Sequence, residues 1–187
     1  MDERVLADRE RVLGPDHPDT LASRVGLAHS YWESGGLAQS IVIEERVVAD
    51  SERLLGPDHP DTLLARANLA VSYCDAGRTA EAIDLQKRAV ADYERVQGPD
   101  HPDTLLARSN LADYYWEVER TAEAIELEEQ VLADSERLLG PDHPDTLTAK
   151  QVLEAWTEQT DRTSTSAEDS GGIVASERGL SRDDGVS

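Results

Sequence analysis

The chain has 187 residues and a formal net charge of −21, from 39 acidic and 18 basic side chains. That balance argues against nucleic acid and anionic membrane as partners, because both would be repelled. A single cysteine, Cys74, leaves no intrachain disulfide framework. No run approaches the ~20 consecutive apolar residues of a membrane span, and Met1-Asp2-Glu3-Arg4 does not open a signal peptide. A soluble cytoplasmic protein is therefore expected.

The octapeptide GPDHPDTL starts at Gly14, Gly56, Gly98 and Gly140, spaced 42 residues apart each time. A fixed period in this range is the signature of a solenoid. Residues 2–13 read as the second helix of a repeat whose first helix is missing. They belong to a half repeat, 1–16, followed by full repeats over 17–58, 59–100 and 101–142. In the second of these, Pro60 suits the first helical position and Asp61 suits the positive end of the helix dipole. Leu63, Leu69, Ala70 and Tyr73 then form an apolar stripe of helical spacing. Gly77 ends that helix, since glycine accepts a left-handed cap. A second helix is predicted from Thr79 to about Gln97, with Ala82, Ile83, Leu85, Ala89, Val90 and Val96 on its apolar face, and Gly98 stops it.

The other repeats follow the same plan. The columns Leu21, Leu63, Leu105, Leu147 and Leu27, Leu69, Leu111, Leu153 run through all of them. Ala28, Ala70 and Ala112 allow close helix approach, and Tyr31, Tyr73 and Tyr115 fill the next gap. In the third repeat Glu119 stands where the others have Gly35 and Gly77. A side chain in a left-handed cap costs about 1 kcal/mol, so a rearranged turn is expected there. A closing helix falls in 143–159. From 160 to 187 the composition turns to Ser, Gly and Asp, with six acidic and three basic residues, which predicts a disordered acidic tail. The total is eight helices in an all-α solenoid. The opening half repeat points to a fragment, or the C-terminal end, of a longer array.

The pattern Asn68-Leu69-Ala70, Tyr73, Gly77, Glu81-Ala82, Ala89 resembles the tetratricopeptide repeat. The 42-residue unit and its His-Pro-Asp-Thr start resemble the kinesin-light-chain subgroup, and the LGPDHPDTL units resemble bacterial, mostly actinobacterial, arrays of that kind. The resemblance covers roughly residues 1–159. It implies a right-handed superhelix of antiparallel helix pairs whose first helices line a concave, peptide-binding groove. Bacterial arrays of this type often follow a nucleotide-binding switch domain; the P-loop pattern GxxxxGK[ST] does not occur here, so no ATPase activity is carried over.

Transferred position by position, the groove lining includes His29 and Trp32 in the first full repeat. It continues with Leu64, Asn68, Val71, Cys74 and Asp75 in the second, and with Leu106, Asn110, Asp113, Trp116 and Glu117 in the third. Asn68 and Asn110 match a position where the family often bonds the backbone of a bound peptide; an amide both donates and accepts. They could equally bond neighbouring helices. Trp32 and Trp116 either anchor an apolar side chain of a ligand or cover helix seams. Arg24, Arg66, Arg108 and Lys150 form a basic ladder at the repeat period. They either meet acidic groups of a partner or pair with acids of the adjacent turns, such as the linker aspartates.

The column His17, His59, His101, His143 holds one imidazole per turn, spaced too far apart to share a metal, so a helix-capping role is expected. His29 has no partner in sequence. Cys74 lacks an activating base and reads as a packing residue. No catalytic constellation, metal site or cofactor motif is visible. The expected function is a non-catalytic scaffold that binds a peptide segment of a protein partner. Two alternatives stand beside it. One is self-assembly through an apolar end face of Val5, Leu6, Val12 and Leu13. The other is a role as the C-terminal sensor of a larger NTPase-type signalling protein.

Overall fold

A computed structural model describes residues 3–176, with side chains described through Arg162. Among the described residues there are eight helices and no strand. They are α1 (Glu3–Leu13), α2 (Pro18–Glu33), α3 (Leu37–Leu54), α4 (Pro60–Asp75), α5 (Thr79–Val96), α6 (Pro102–Glu117), α7 (Thr121–Leu139) and α8 (Pro144–Ser176). Each helix packs mainly on the one before and the one after it, which makes an all-α repeat solenoid.

The octapeptide builds each start of a first helix. Gly14, Gly56, Gly98 and Gly140 all take φ between 91° and 95°, a left-handed conformation that a side chain would strain. In the turn that follows, the cap histidine accepts a hydrogen bond from a backbone N–H two residues on. His17 Nδ1 takes Asp19 N at 3.1 Å, and His59, His101 and His143 repeat the bond at 3.2–3.3 Å. Proline follows at the first helical position, where its missing N–H costs nothing. In two of the four turns the buried threonine also ties the loop back: Thr20 Oγ1 donates to Gly14 O and Thr104 Oγ1 to Gly98 O, both at 2.8 Å, whereas Thr62 and Thr146 make no such bond. The histidines thus serve as helix caps, and among the described residues no cluster of ligating side chains could hold a metal.

Small residues form the core where helices cross. Ala28, Ala70, Ala112, Ala82 and Ala124 are all buried, as are Leu27, Leu69, Leu111 and Leu153. Two expectations are corrected. The turn at Glu119 is not rearranged: Glu119 itself takes φ 60°. Its N–H donates to Trp116 O at 3.0 Å and the Arg120 N–H to Tyr115 O at 2.9 Å, the pattern that Gly77 and Arg78 make with Cys74 O and Tyr73 O. Closure bonds and the Arg120 guanidinium 4.2 Å over the Tyr115 ring hold the strained residue in place. The second correction concerns residues 160–176, expected to be disordered. They continue α8 as helix to Ser176. Residues 177–187 of the expected tail lie outside the described residues.

Candidate functional site

The basic ladder is consumed within the solenoid. Arg24 Nη2 contacts Glu10 Oε1 of α1 at 2.9 Å, and its Nη1 contacts Asp50 Oδ2 of α3 at 2.5 Å. Arg66 repeats this with Glu52 and Asp92, at 2.8 and 2.6 Å. Arg108 does so with Glu94 and Asp134, at 2.6 and 3.2 Å. These side chains are only 12–14% exposed. Helices α2, α4 and α6 are therefore each clasped to the second helices on both sides. The three arginines, expected in the groove, stand instead in helix seams with their charge committed. Lys150, the fourth rung, is exposed and makes no ion pair among the described residues.

The linker aspartates pair with a different column. Arg53 bridges Asp16 and Asp50, Arg95 bridges Asp58 and Asp92, and Arg137 bridges Asp100 and Asp134, all at 2.6–2.9 Å. These hydrogen-bonded guanidinium groups hold the carboxyls of Asp16, Asp58 and Asp100 below the usual range. Each seam thus carries an acid–Arg–acid–Arg–acid chain.

Between successive first helices the surface opens into three pockets of about 340, 290 and 250 Å³. The first lies between α2 and α4 over the end of α3, and the others follow between α4 and α6 and between α6 and α8. Leu64 is 54% exposed and lines the first two; Leu106 is 62% exposed and lines the second and third. Asn68 belongs to the first two pockets and Asn110 to the second. Neither amide makes a hydrogen bond among the described residues, so neither is used to tie helices together. Asp61 and Asp103 also line these pockets. Sequence reasoning gave Asp61 a dipole role alone; its place at the mouth of a pocket depends on how the next helix is stacked.

The remaining candidates lie further along the first helices. Trp32 is 39% exposed. Its Nε1 donates to Asp75 Oδ2 at 2.6 Å, and its ring stacks on His29, with 6.0 Å between centroids. His29 is not without a partner, since its Nε2 also stands 3.4 Å from Glu33 Oε1. Trp116 is half-buried and stacks flat on the buried Trp156 of α8, 4.7 Å between centroids and 6° between planes. It therefore covers a seam. Cys74 Sγ donates to Glu117 Oε2 at 2.8 Å. Burial, with Glu117 beside it, pushes the thiol up to about 12, which leaves no thiolate at neutral pH. Asp113 faces solvent, yet the protein packed around its carboxyl and Glu117 one turn on push it up to about 6.

Comparison with known proteins agrees with this architecture. Two family models, both for the tetratricopeptide repeat, match: one over residues 45–95 and 64–137, the other over 1–19 and 20–61. Two crystal structures of a Podosopora anserina protein described as a kinesin light chain with nearly identical TPR-like repeats are similar at 29% identity. One has a TM-score of 0.77 and covers 92% of this chain and 82% of its own. The other has a TM-score of 0.74 and covers 95% and 86%. BtubC (BKLC) of P. vanneervenii shares the fold at 19% identity, with a TM-score of 0.69 over 91% of this chain and 70% of its own. No curated protein matches the sequence.

Proposed function

Because the chain belongs to the tetratricopeptide-repeat family and is of the kinesin-light-chain-like type, a protein–protein interaction scaffold in general, we propose that it is a non-catalytic cytoplasmic scaffold that holds a peptide segment of a partner along its first helices. The free amides of Asn68 and Asn110, set at the repeat period beside exposed Leu64 and Leu106, carry this reading. Each amide offers a donor and an acceptor to a peptide backbone, and the leucine-lined pockets accept side chains. Affinity from such a surface is the sum of modest contacts on a preformed frame. The test is affinity capture from host lysate with the full chain and with its Asn68→Ala/Asn110→Ala variant, at equal helicity by circular dichroism. A partner held by the first and lost by the second supports the reading; a partner held equally by both overturns it.

A second reading has its own observation. On α1, Val5, Val12 and Leu13 are 42%, 66% and 41% exposed, an apolar face that a second copy would cover. Light scattering at micromolar concentration checks it: self-association should appear in the native chain and vanish in Val12→Glu, and a native monomer rules it out.

A further inference from the structure

Resting on the groove reading above, we infer that the segment these pockets take is cationic: apolar side chains interleaved with Lys or Arg. Every charged residue lining the three pockets is an aspartate: Asp16, Asp61, Asp103 and Asp145. Asp16 is already neutralised by Arg53 at 2.6 Å. Among the described residues, the other three pair with no Arg or Lys. Their carboxylates stand 3.7, 3.7 and 3.6 Å from the cap imidazoles of His59, His101 and His143, whose Nδ1 is already an acceptor for a backbone N–H. Asp103 also accepts from Gln97 Nε2 at 3.3 Å.

The same sign continues along the helices. α2, α4 and α6 end in Glu33, Asp75 and Glu117, with no basic residue in the last turn of any of them. A carboxylate there adds to the negative end of the helix dipole. Trp32 and Cys74 give Asp75 and Glu117 a neutral donor each, which leaves their charge uncancelled. α2, α4 and α6 carry one arginine each, and the seams hold all three; on α8, Arg162 pairs with Glu158 and Lys150 lies outside the pocket linings. What remains on the open face is apolar floor and uncompensated negative charge. A cationic segment meets both at once: its aliphatic side chains enter beside Leu64 and Leu106, and its ammonium or guanidinium groups reach the aspartate rim. An acidic segment would have to bring further negative charge against that rim.

The experiment is selection of a random phage-displayed 12-residue peptide library on the full chain. Synthetic peptides of the enriched sequences are then titrated against the native protein, Asp61→Asn/Asp103→Asn and Asn68→Ala/Asn110→Ala. Enrichment of Lys or Arg beside Leu, Ile, Val or Met is expected. So is an affinity that falls about tenfold in Asp61→Asn/Asp103→Asn and weakens steeply with salt. Neutral or acidic sequences that still depend on Asn68 and Asn110 would overturn the charge inference and leave the groove standing. Failure to enrich anything, or binding indifferent to all four residues, would overturn both.

Discussion

At the residue scale the odd position is Glu128. It falls in a column with Glu44 and Gln86, 42 residues apart, on the second helices where they meet the next first helix. Gln86 shows what the site wants: its Nε2 donates to Ala107 O at 2.8 Å. Glu128 is fully buried. Its Oε1 accepts from Ser109 Oγ at 3.2 Å, and its Oε2 has no partner. Burial, with Asp113 of α6 adding like charge, pushes its carboxyl up to about 7. The unfolded chain releases this proton near 4.5, so the folded state binds more protons between the two values. Stability from this group is complete below 4.5 and is lost as pH rises through 7. Asp113 has the same sign with its midpoint lower, at about 6, so Glu128 carries most of the loss that remains between pH 6.5 and 8. Glu128→Gln should flatten the urea midpoint over that interval and stabilise the protein at pH 8 by about 1–3 kcal/mol. An unchanged slope would show that the carboxyl is ionised in the fold.

At the scale of an element, the turn between α6 and α7 keeps a left-handed residue without glycine. Glu119→Gly should therefore stabilise by up to about 1 kcal/mol, and Gly77→Ala in the equivalent turn should destabilise by about as much. Thermal melts of the pair would show opposite shifts; shifts of one sign would mean that the turn, not the residue, sets the cost. The arginine clasps make a second case. Arg66 is nearly buried, and its removal leaves Glu52 without a basic partner while Asp92 keeps only Arg95. Arg66→Ala should cost about 2 kcal/mol, more than an exposed ion pair is worth and less than a fully buried one. Denaturation at low and high salt measures both the loss and how much of it is screened. These elements also show what a sequence carries. The octapeptide states its own local business: glycine for the turn, histidine and proline for the helix start. Its 42-residue period places every helix. The clasp partners lie 14 residues before and 26 after each arginine, and the Trp116–Trp156 stack spans 40 positions. Such pairings exist only once helices are stacked, so residue types suggested an ion pair but not which acid. The pocket linings were half legible for the same reason. Asn68 and Asn110 line pockets between successive first helices, whereas the arginines and Trp116 pack into seams that composition does not reveal.

For the whole molecule, the relevant fact is that contacts run from each helix to its neighbours and little further. Stability is then close to a sum of repeat and interface contributions, and damage should stay local. The α8 interface offers a sharp test, because the buried Trp156 closes the stack on Trp116 and the core around Ala112 and Ala124. Trp156→Ala removes a large aromatic from one side of that interface only, at a cost of about 3–5 kcal/mol. Native-state hydrogen exchange should then show protection lost in α8 and weakened in α6 and α7, with α2 to α5 changed little. Binding at the α2/α4 pocket, formed by residues no later than Asn68, should survive, while any contribution from the α6/α8 pocket disappears. Equal acceleration of exchange in every helix would instead mean that the repeats fold as one cooperative unit, and that no part of the groove can be weakened without the rest.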